Sequence, residues 1–204
     1  MKITDVKTEI FQIELTEPFR VAFAEVTHST SILLKISTDE GYEGYGEAAP
    51  FAPVTGETPE GCLAVLNMFR QGLIGKNPLD IEQIHAMMDG LVHGNGSAKS
   101  AVDIALHDIK GKVMGQPLYR VLGGYQGIVQ NDVTIGINDP EKMAESARDY
   151  VENKGYRILK IKAGIDPKED IRAIRLIREA VGPKVRPRED ANQGYTVNLA
   201  VFKS

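Results

Sequence analysis

The spacing of apolar residues divides the chain into an extended region, a run of helices and a strand–helix alternation. Lys2 to Leu15 alternates loosely, with Ile3, Val6, Ile10 and Ile13 as its apolar residues, and reads as a strand. Ser31 to Ser37 carries Ile32, Leu33, Leu34 and Ile36, then turns at Asp39-Glu40-Gly41, and Tyr42 to Glu47 continues as the next strand. This is the pattern of an antiparallel meander. Between its first two strands, Glu17 to Thr30 reads as a long loop. Cys62, Leu66, Phe69 and Leu73 are four, three and four apart, one face of a helix that Thr58 and Pro59 would start. A second helix has Asp80 as its cap, Gln83 three residues on, and Ile81, Ile84, Met88 and Leu91 as its stripe. A third starts near Ser97 and stops at Gly115 and Pro117. Its Ala98, Ala101 and Ala105 would let a neighbour approach closely.

The pattern changes near Gly123-Gly124. Strands are expected at Asp132 to Ile137, Tyr156 to Lys162 and Lys184 to Asp190. Between them, Asp139-Pro140 opens a helix that ends at Gly155. Asp166-Pro167-Lys168-Glu169 is a capping box opening another, with Ile171, Ile174, Ile177 and Val181 as its stripe, ending at Gly182. A further helix begins at Asn198 and runs to Ser204. Such β-α-β-α-β units imply a parallel sheet with right-handed crossovers, covered on both faces as in barrels and doubly wound sheets. The fold class is therefore α/β: an α+β region over 1–124, then three parallel strands and two full helices over 125–204.

Composition narrows the function classes. The 204 residues suffice for one large or two small domains, with 42% hydrophobic and 25% charged residues. A net charge of −4, with both signs mixed and no basic run, argues against nucleic-acid or membrane partners. No apolar stretch is long enough to span a bilayer, and the N-terminus lacks an apolar signal core. Cys62 is the sole cysteine, so no internal disulfide forms. These features favour a cytoplasmic enzyme acting on a small molecule.

Two strand ends carry candidate chemistry. In Leu159-Lys160-Ile161-Lys162-Ala163-Gly164, alternation places Lys160 and Lys162 on one face at the C-terminal end of a parallel strand. Two ammonium groups there are costly unless used. Each disfavours the charge of the other and burial disfavours both, the setting of a general base. The competing reading is an exposed strand face with two solvated lysines. In parallel α/β folds, however, sites gather at C-terminal strand ends. The next strand ends in Glu189-Asp190-Ala191-Asn192-Gln193-Gly194. An Asp there can hold a hard divalent cation, with the Asn supporting it or facing substrate; alone, the segment reads as an Asx turn. His28, His85, His93 and His107 have no partners at metal-ligand spacing and read as structural or solvated.

The lysine strand followed one unit later by Asp190-Ala191-Asn192-Gln193-Gly194 resembles the enolase superfamily, in its muconate-lactonizing-enzyme subgroup. The resemblance extends upstream through Gly44-Tyr45-Gly46-Glu47-Ala48-Ala49-Pro50, Ser97 to Asp108, Pro117-Leu118-Tyr119 and Leu122-Gly123-Gly124, and covers the chain to about Tyr195. Within the subgroup, the chain is most similar to dipeptide epimerases of the L-Ala-D/L-Glu type, which Thr134 fits as a residue near substrate.

The resemblance implies a capping domain (1–124) and the first part of a modified (β/α)7β TIM-type barrel (125–204). It implies a magnesium-dependent epimerase that removes the proton α to a carboxylate through an enediolate, with a small carboxylate, a dipeptide, as substrate. Carried onto this chain, Lys162 is the acid/base and Lys160 disfavours its charge and assists with the carboxylate. Asp190 is a Mg²⁺ ligand, and Asn192 beside it is a substrate-binding residue. Arg20 is a candidate for an anionic substrate group, and the segments 19–30 and 51–57 would close over the barrel mouth. The family pattern continues with two further acidic ligands and an opposing lysine on later strands, so the chain as given is expected to be truncated, with an incomplete Mg²⁺ site and no activity alone. It is also expected to associate with copies of itself, or with a missing half, through the unfinished barrel. In the third strand, Pro187 and Glu189 stand where the family has apolar residues, which implies a damaged strand or an edge. A muconate-cycloisomerase-like or o-succinylbenzoate-synthase-like enzyme would share Lys162 and Asp190, and a catalytically silent assembly module would keep only the fold. A dinucleotide-binding fold would need a glycine-rich phosphate loop, and no strand end supplies one.

Overall fold

The opening strand runs much further than its apolar residues indicate. In the computed structural model of the chain, which describes residues 1–198, β1 covers Ile3–Val21 and β2 covers Ala24–Thr38, neighbours in one sheet joined at Ala22-Phe23. The segment 17–30, expected as a loop, is therefore mostly strand. Most of its side chains are exposed, so pairing rests on backbone hydrogen bonds, and the apolar alternation is confined to Phe19 with Val21 and Ala24 with Val26, all only half-buried. The chain divides into two compact units, Met1–Ile13 with Ser29–Gly127, and Glu14–His28 with the chain from Ile128 on. The far end of the β1–β2 ribbon thus belongs to the second unit.

In the first unit β3 (Glu43–Ala48) pairs antiparallel with β2, Ile32 opposite Ala48 and Ile36 opposite Gly44. The helices follow as α1 (Ala52–Thr55), α2 (Pro59–Leu73), α3 (Ile81–Leu91), α4 (Gly96–Val113) and α5 (Leu118–Val121). The core joins Ile3, Ile32, Leu34 and Ile36 of the sheet to Leu66 and Phe69 of α2, Ile84 and Met88 of α3, and Leu106 and Ile109 of α4. Thr58 starts α2 as expected, its side chain accepting the Gly61 N–H at 3.2 Å. Asp80 makes no side-chain cap on α3; its carboxylate takes the Asn77 amide at 3.3 Å instead, so the expected capping box does not form. The neighbour admitted by the small residues of α4 is β3. A Cβ on Gly46 would lie 1.9 Å from the Ala101 carbonyl oxygen, and one on Gly44 2.1 Å from that of Ala105.

In the second unit β4 (Val133–Ile135), β5 (Ile158–Lys162) and β6 (Arg186–Asp190) form a parallel sheet in that order, with α6 (Pro140–Glu152) and α7 (Pro167–Val181) between them in sequence. Leu159 and Ile161 of β5 are buried with Met143 and Ala147 of α6 and with Ala173 and Ile177 of α7. Alternation turns Lys160 and Lys162 to the opposite face. Asp166 caps α7 by accepting the Lys168 N–H at 2.9 Å, whereas Asp139 makes no side-chain cap on α6.

The strand suspected of damage is formed, and it lies at the sheet edge among the described residues. Arg186 donates its N–H to the Arg157 carbonyl, and strand donors alternate sides, so the donor that Pro187 lacks is on the side away from β5. Glu189 is exposed, and the Tyr195 hydroxyl lies 3.3 Å from its carboxylate. The helix expected from Asn198 to Ser204 falls almost wholly outside the described residues. Among those residues no helix is long and apolar enough to cross a membrane.

Candidate active site

Parallel pairing sets the side chains of β4, β5 and β6 in rows. Thr134 is opposite Lys160 and Lys160 opposite Arg188; one row nearer the C-terminal ends, Lys162 is opposite Asp190. The register therefore juxtaposes two residues 28 apart in sequence, and the side chains meet. Lys162 Nζ donates to Asp190 Oδ2 at 2.8 Å and to Asn192 Oδ1 at 2.8 Å, and Lys160 Nζ lies 3.0 Å from the same Asp190 oxygen. Asp190 Oδ1 accepts the Asn192 N–H at 3.0 Å.

The electrostatics follow from burial. Lys162 is only 8% exposed, so its ammonium needs partners, and the carboxylate and amide oxygen supply them. In return the Lys162 ammonium, and after it that of Lys160, hold the Asp190 carboxyl well below the usual carboxylate range. Two of the three Lys162 N–H donors are engaged, leaving one for a reacting carbon or a substrate oxygen. The turn after β6 is unusual in its backbone: Asn192 and Gln193 have φ values of 45° and 63°. The left-handed region suits Asn, whose short side chain bonds locally, better than Gln.

A carboxylate kept ionised, beside an amide oxygen, is the hard-oxygen donor type that Mg²⁺ takes. Asp190 thus fits as one ligand. Among the described residues no group of three His, Cys, Asp or Glu side chains gathers to complete a metal site.

Lys160, Lys162, Asp190 and Asn192 are brought together; the other candidates lie apart from that contact. Thr134 is half-buried in the row of Lys160 and also lines a cavity of about 330 Å³ with Phe19, Met143 and Tyr150. Arg20 is exposed on the ribbon, where its carbonyl accepts the Ile137 N–H at 2.9 Å. Arg20 lines a cavity of about 420 Å³ together with Glu17, Glu25, Asp139 and Asp166, and neither Lys160, Lys162 nor Asp190 lines it. His85 and His107 share Asp103, at 2.7 and 3.2 Å, a tie between α3 and α4 in keeping with a structural role.

Asp170 and Tyr195 escaped the sequence reading. An Asp in the first turn of a helix reads as a charge that complements the helix dipole, yet Asp170 is buried and accepts the Gly164 N–H at 3.0 Å and the Tyr195 hydroxyl. The sequence signal available was a tyrosine directly after the glycine that closes the Asp190 turn.

Residues 4–123 match the model of the mandelate racemase / muconate lactonizing enzyme N-terminal domain, and residues 142–202 that of the enolase C-terminal domain-like family. A hydrophobic dipeptide epimerase of Enterococcus faecalis is 42% identical over 201 residues, 98% of this chain and 56% of the relative. An N-succinyl-L-Arg/Lys racemase of Bacillus cereus is 41% identical over 197 residues, 96% of this chain and 53% of the relative. The solved dipeptide epimerase of Enterococcus faecalis V583, complexed with Mg and the dipeptide L-Leu-L-Tyr, superposes with a TM-score of 0.97 at 41% identity, over 100% of this chain and 57% of that one. The chain thus spans about half the length of the curated relatives it matches.

Proposed function

The chain belongs to the mandelate racemase / muconate lactonizing enzyme family, and we propose that Lys162 is the acid/base on one face of the substrate, taking the proton from the carbon α to a carboxylate of one epimer and delivering a proton to that face for the other. The observation that carries this is the Lys162 ammonium at the C-terminal end of β5, buried and bonded at 2.8 Å to both Asp190 and Asn192. Those two bonds leave one direction on the nitrogen for the α-carbon, occupied by the lone pair of the neutral amine when it acts as base and by an N–H when it acts as acid. Lys160, on the same carboxylate oxygen and more exposed, adds positive charge for a substrate carboxylate. Asp190 is the oxygen donor toward Mg²⁺, which when bound supplies stabilisation of the negative charge that develops on the carboxylate, and Asn192 faces substrate. Thr134, in the row of Lys160, faces substrate; Arg20 stands among carboxylates, and an anionic substrate group is its proposed partner. A second base and further acidic ligands are proposed to correspond to the part of the relatives that this chain does not span.

The substrate class proposed is a dipeptide, supported by the relatives at about 40% identity that are dipeptide epimerases. The similarity to an N-succinyl amino acid racemase favours a second reading, in which an acylated amino acid replaces the dipeptide. Both place an amide next to the reacting carbon. The test uses this chain, and the chain joined to the remaining barrel of the Enterococcus faecalis relative, on a panel of dipeptides and N-succinyl amino acids with and without Mg²⁺. Epimerisation of dipeptides by the joined chain, dependent on Mg²⁺ and on Lys162, is the expected result. Turnover confined to N-succinyl substrates selects the second reading, and none on either class sinks both.

A further inference from the structure

The buried Asp170 carboxylate joins the two loops that carry the candidate chemistry. Its Oδ2 accepts the backbone N–H of Gly164, two residues after Lys162, at 3.0 Å, and the hydroxyl of Tyr195, three residues after Asn192. The loops also touch directly. The Ala163 N–H donates to the Asp190 carbonyl at 3.1 Å. A Cβ on Gly164 would lie 2.3 Å from the Ala191 carbonyl oxygen, and one on Gly194 2.1 Å from that of Gly164. Between these contacts Asn192 and Gln193 hold left-handed backbone, which non-glycine residues keep only when their surroundings impose it. Asp190 Oδ1, accepting the Asn192 N–H, restrains the upstream side of that turn. On the downstream side the Gly194 N–H closes the turn on the Ala191 carbonyl at 2.7 Å, and beyond it the hydroxyl of Tyr195 adds a restraint by its anchorage on Asp170.

We propose that Asp170 and Tyr195 are positioning residues, whose hydrogen bond locks the Asn192–Gln193 turn and thereby keeps the Asn192 amide oxygen on Lys162 Nζ. The connection runs from Asp170 of α7 to the Tyr195 hydroxyl, along the backbone to Asn192, and through its amide oxygen to the lysine, whose remaining N–H it aims. A phenol suits this role. Burial, and then its hydrogen bond to Asp170, push the phenol well above its ordinary range, which favours the donating form. The role rests on Lys162 being the acid/base, but the bond it requires is measured without substrate.

The experiment is NMR of the full chain with ¹⁵N-lysine and ¹⁵N-asparagine, at pH 6 and low temperature. The Lys162 ammonium signal is assigned by its loss in Lys162→Met. Tyr195→Phe, which deletes one oxygen atom, is expected to speed hydrogen exchange of that ammonium at least tenfold and to shift the Asn192 side-chain amide. Exchange of α6 and β4 backbone amides should stay within twofold of the parent, which a general loss of structure would not allow. Asp170→Asn should reproduce the effect; if it unfolds the second unit, Tyr195→Phe decides alone. If Asn192→Ala speeds the exchange and Tyr195→Phe leaves it within twofold, the positioning role is overturned while the chemistry proposed for Lys162 stands.

Discussion

Replacing Asp190 by Asn keeps the shape of the side chain and removes the charge that two ammonium groups share. Removing one partner of a fully buried ion pair costs about 3–5 kcal/mol, and exposed pairs contribute about 1 kcal/mol or less. Here Lys162 is buried, but Asp190 and Lys160 keep 30% and 37% of their side chains exposed, and Asn can still accept from Lys162. We therefore expect Asp190→Asn to destabilise the second unit by about 2 kcal/mol at pH 7. The loss depends on pH. The folded-state affinity of Asp190 for protons is depressed, so its contribution is complete above the ordinary Asp range and declines as pH falls below about 4, by about 1.4 kcal/mol per pH unit. The gap between parent and variant should thus narrow by about 1 kcal/mol on going from pH 7 to pH 3. The chain has no Trp, so urea unfolding is best followed by far-UV circular dichroism together with exchange of α7 amides. A variant as stable as the parent at pH 7, or a gap that does not change with pH, would refute the reasoning.

Other perturbations test the first unit. Gly46→Ala places a methyl 1.9 Å from the Ala101 carbonyl oxygen and should cost about 3 kcal/mol, read as faster amide exchange in α4; a cost below about 1 kcal/mol would contradict that close approach. Cys62 is buried, and burial, with Glu57 nearby, pushes its thiol up to about 11 from 9.0. Reaction with a disulfide reagent at pH 8 should be at least about 100-fold slower than for an unperturbed thiol, rising to the unperturbed rate in denaturant. Rapid native-state labelling would show that α2 opens freely.

What could be read in the sequence was whatever leaves a local signature. The stripe through Cys62, Leu66 and Phe69 is a helix because its period matches a helical face, and all three residues are buried. The Asp166-Pro167 start of α7 and the lysine face of β5 were equally legible, because capping and alternation involve neighbours in sequence. The β1–β2 ribbon through residues 17–30 was not, since most of its side chains are exposed and its inner face is only half-buried, too weak a pattern to mark a strand; even Ile13 is 57% exposed. The candidate site was legible as residue types at strand ends. Its geometry was not, because the contacts of Lys162 with Asp190 and Asn192, and of Asp170 with Tyr195, depend on strand register and on how two loops pack. Pro187 looked damaging because a missing donor harms only a strand bonded on that side, and the side was unknown until β6 was placed.

The central claim is that Lys162 handles the proton on one face of the substrate. The most direct measurement is solvent-deuterium incorporation at the α-carbon, followed by NMR from each epimer of a dipeptide separately, using Lys162→Ala in the chain joined to its relative's remaining barrel. A base confined to one face predicts that exchange from one epimer falls at least about 100-fold while exchange from the other persists. Undiminished exchange from both epimers would contradict it.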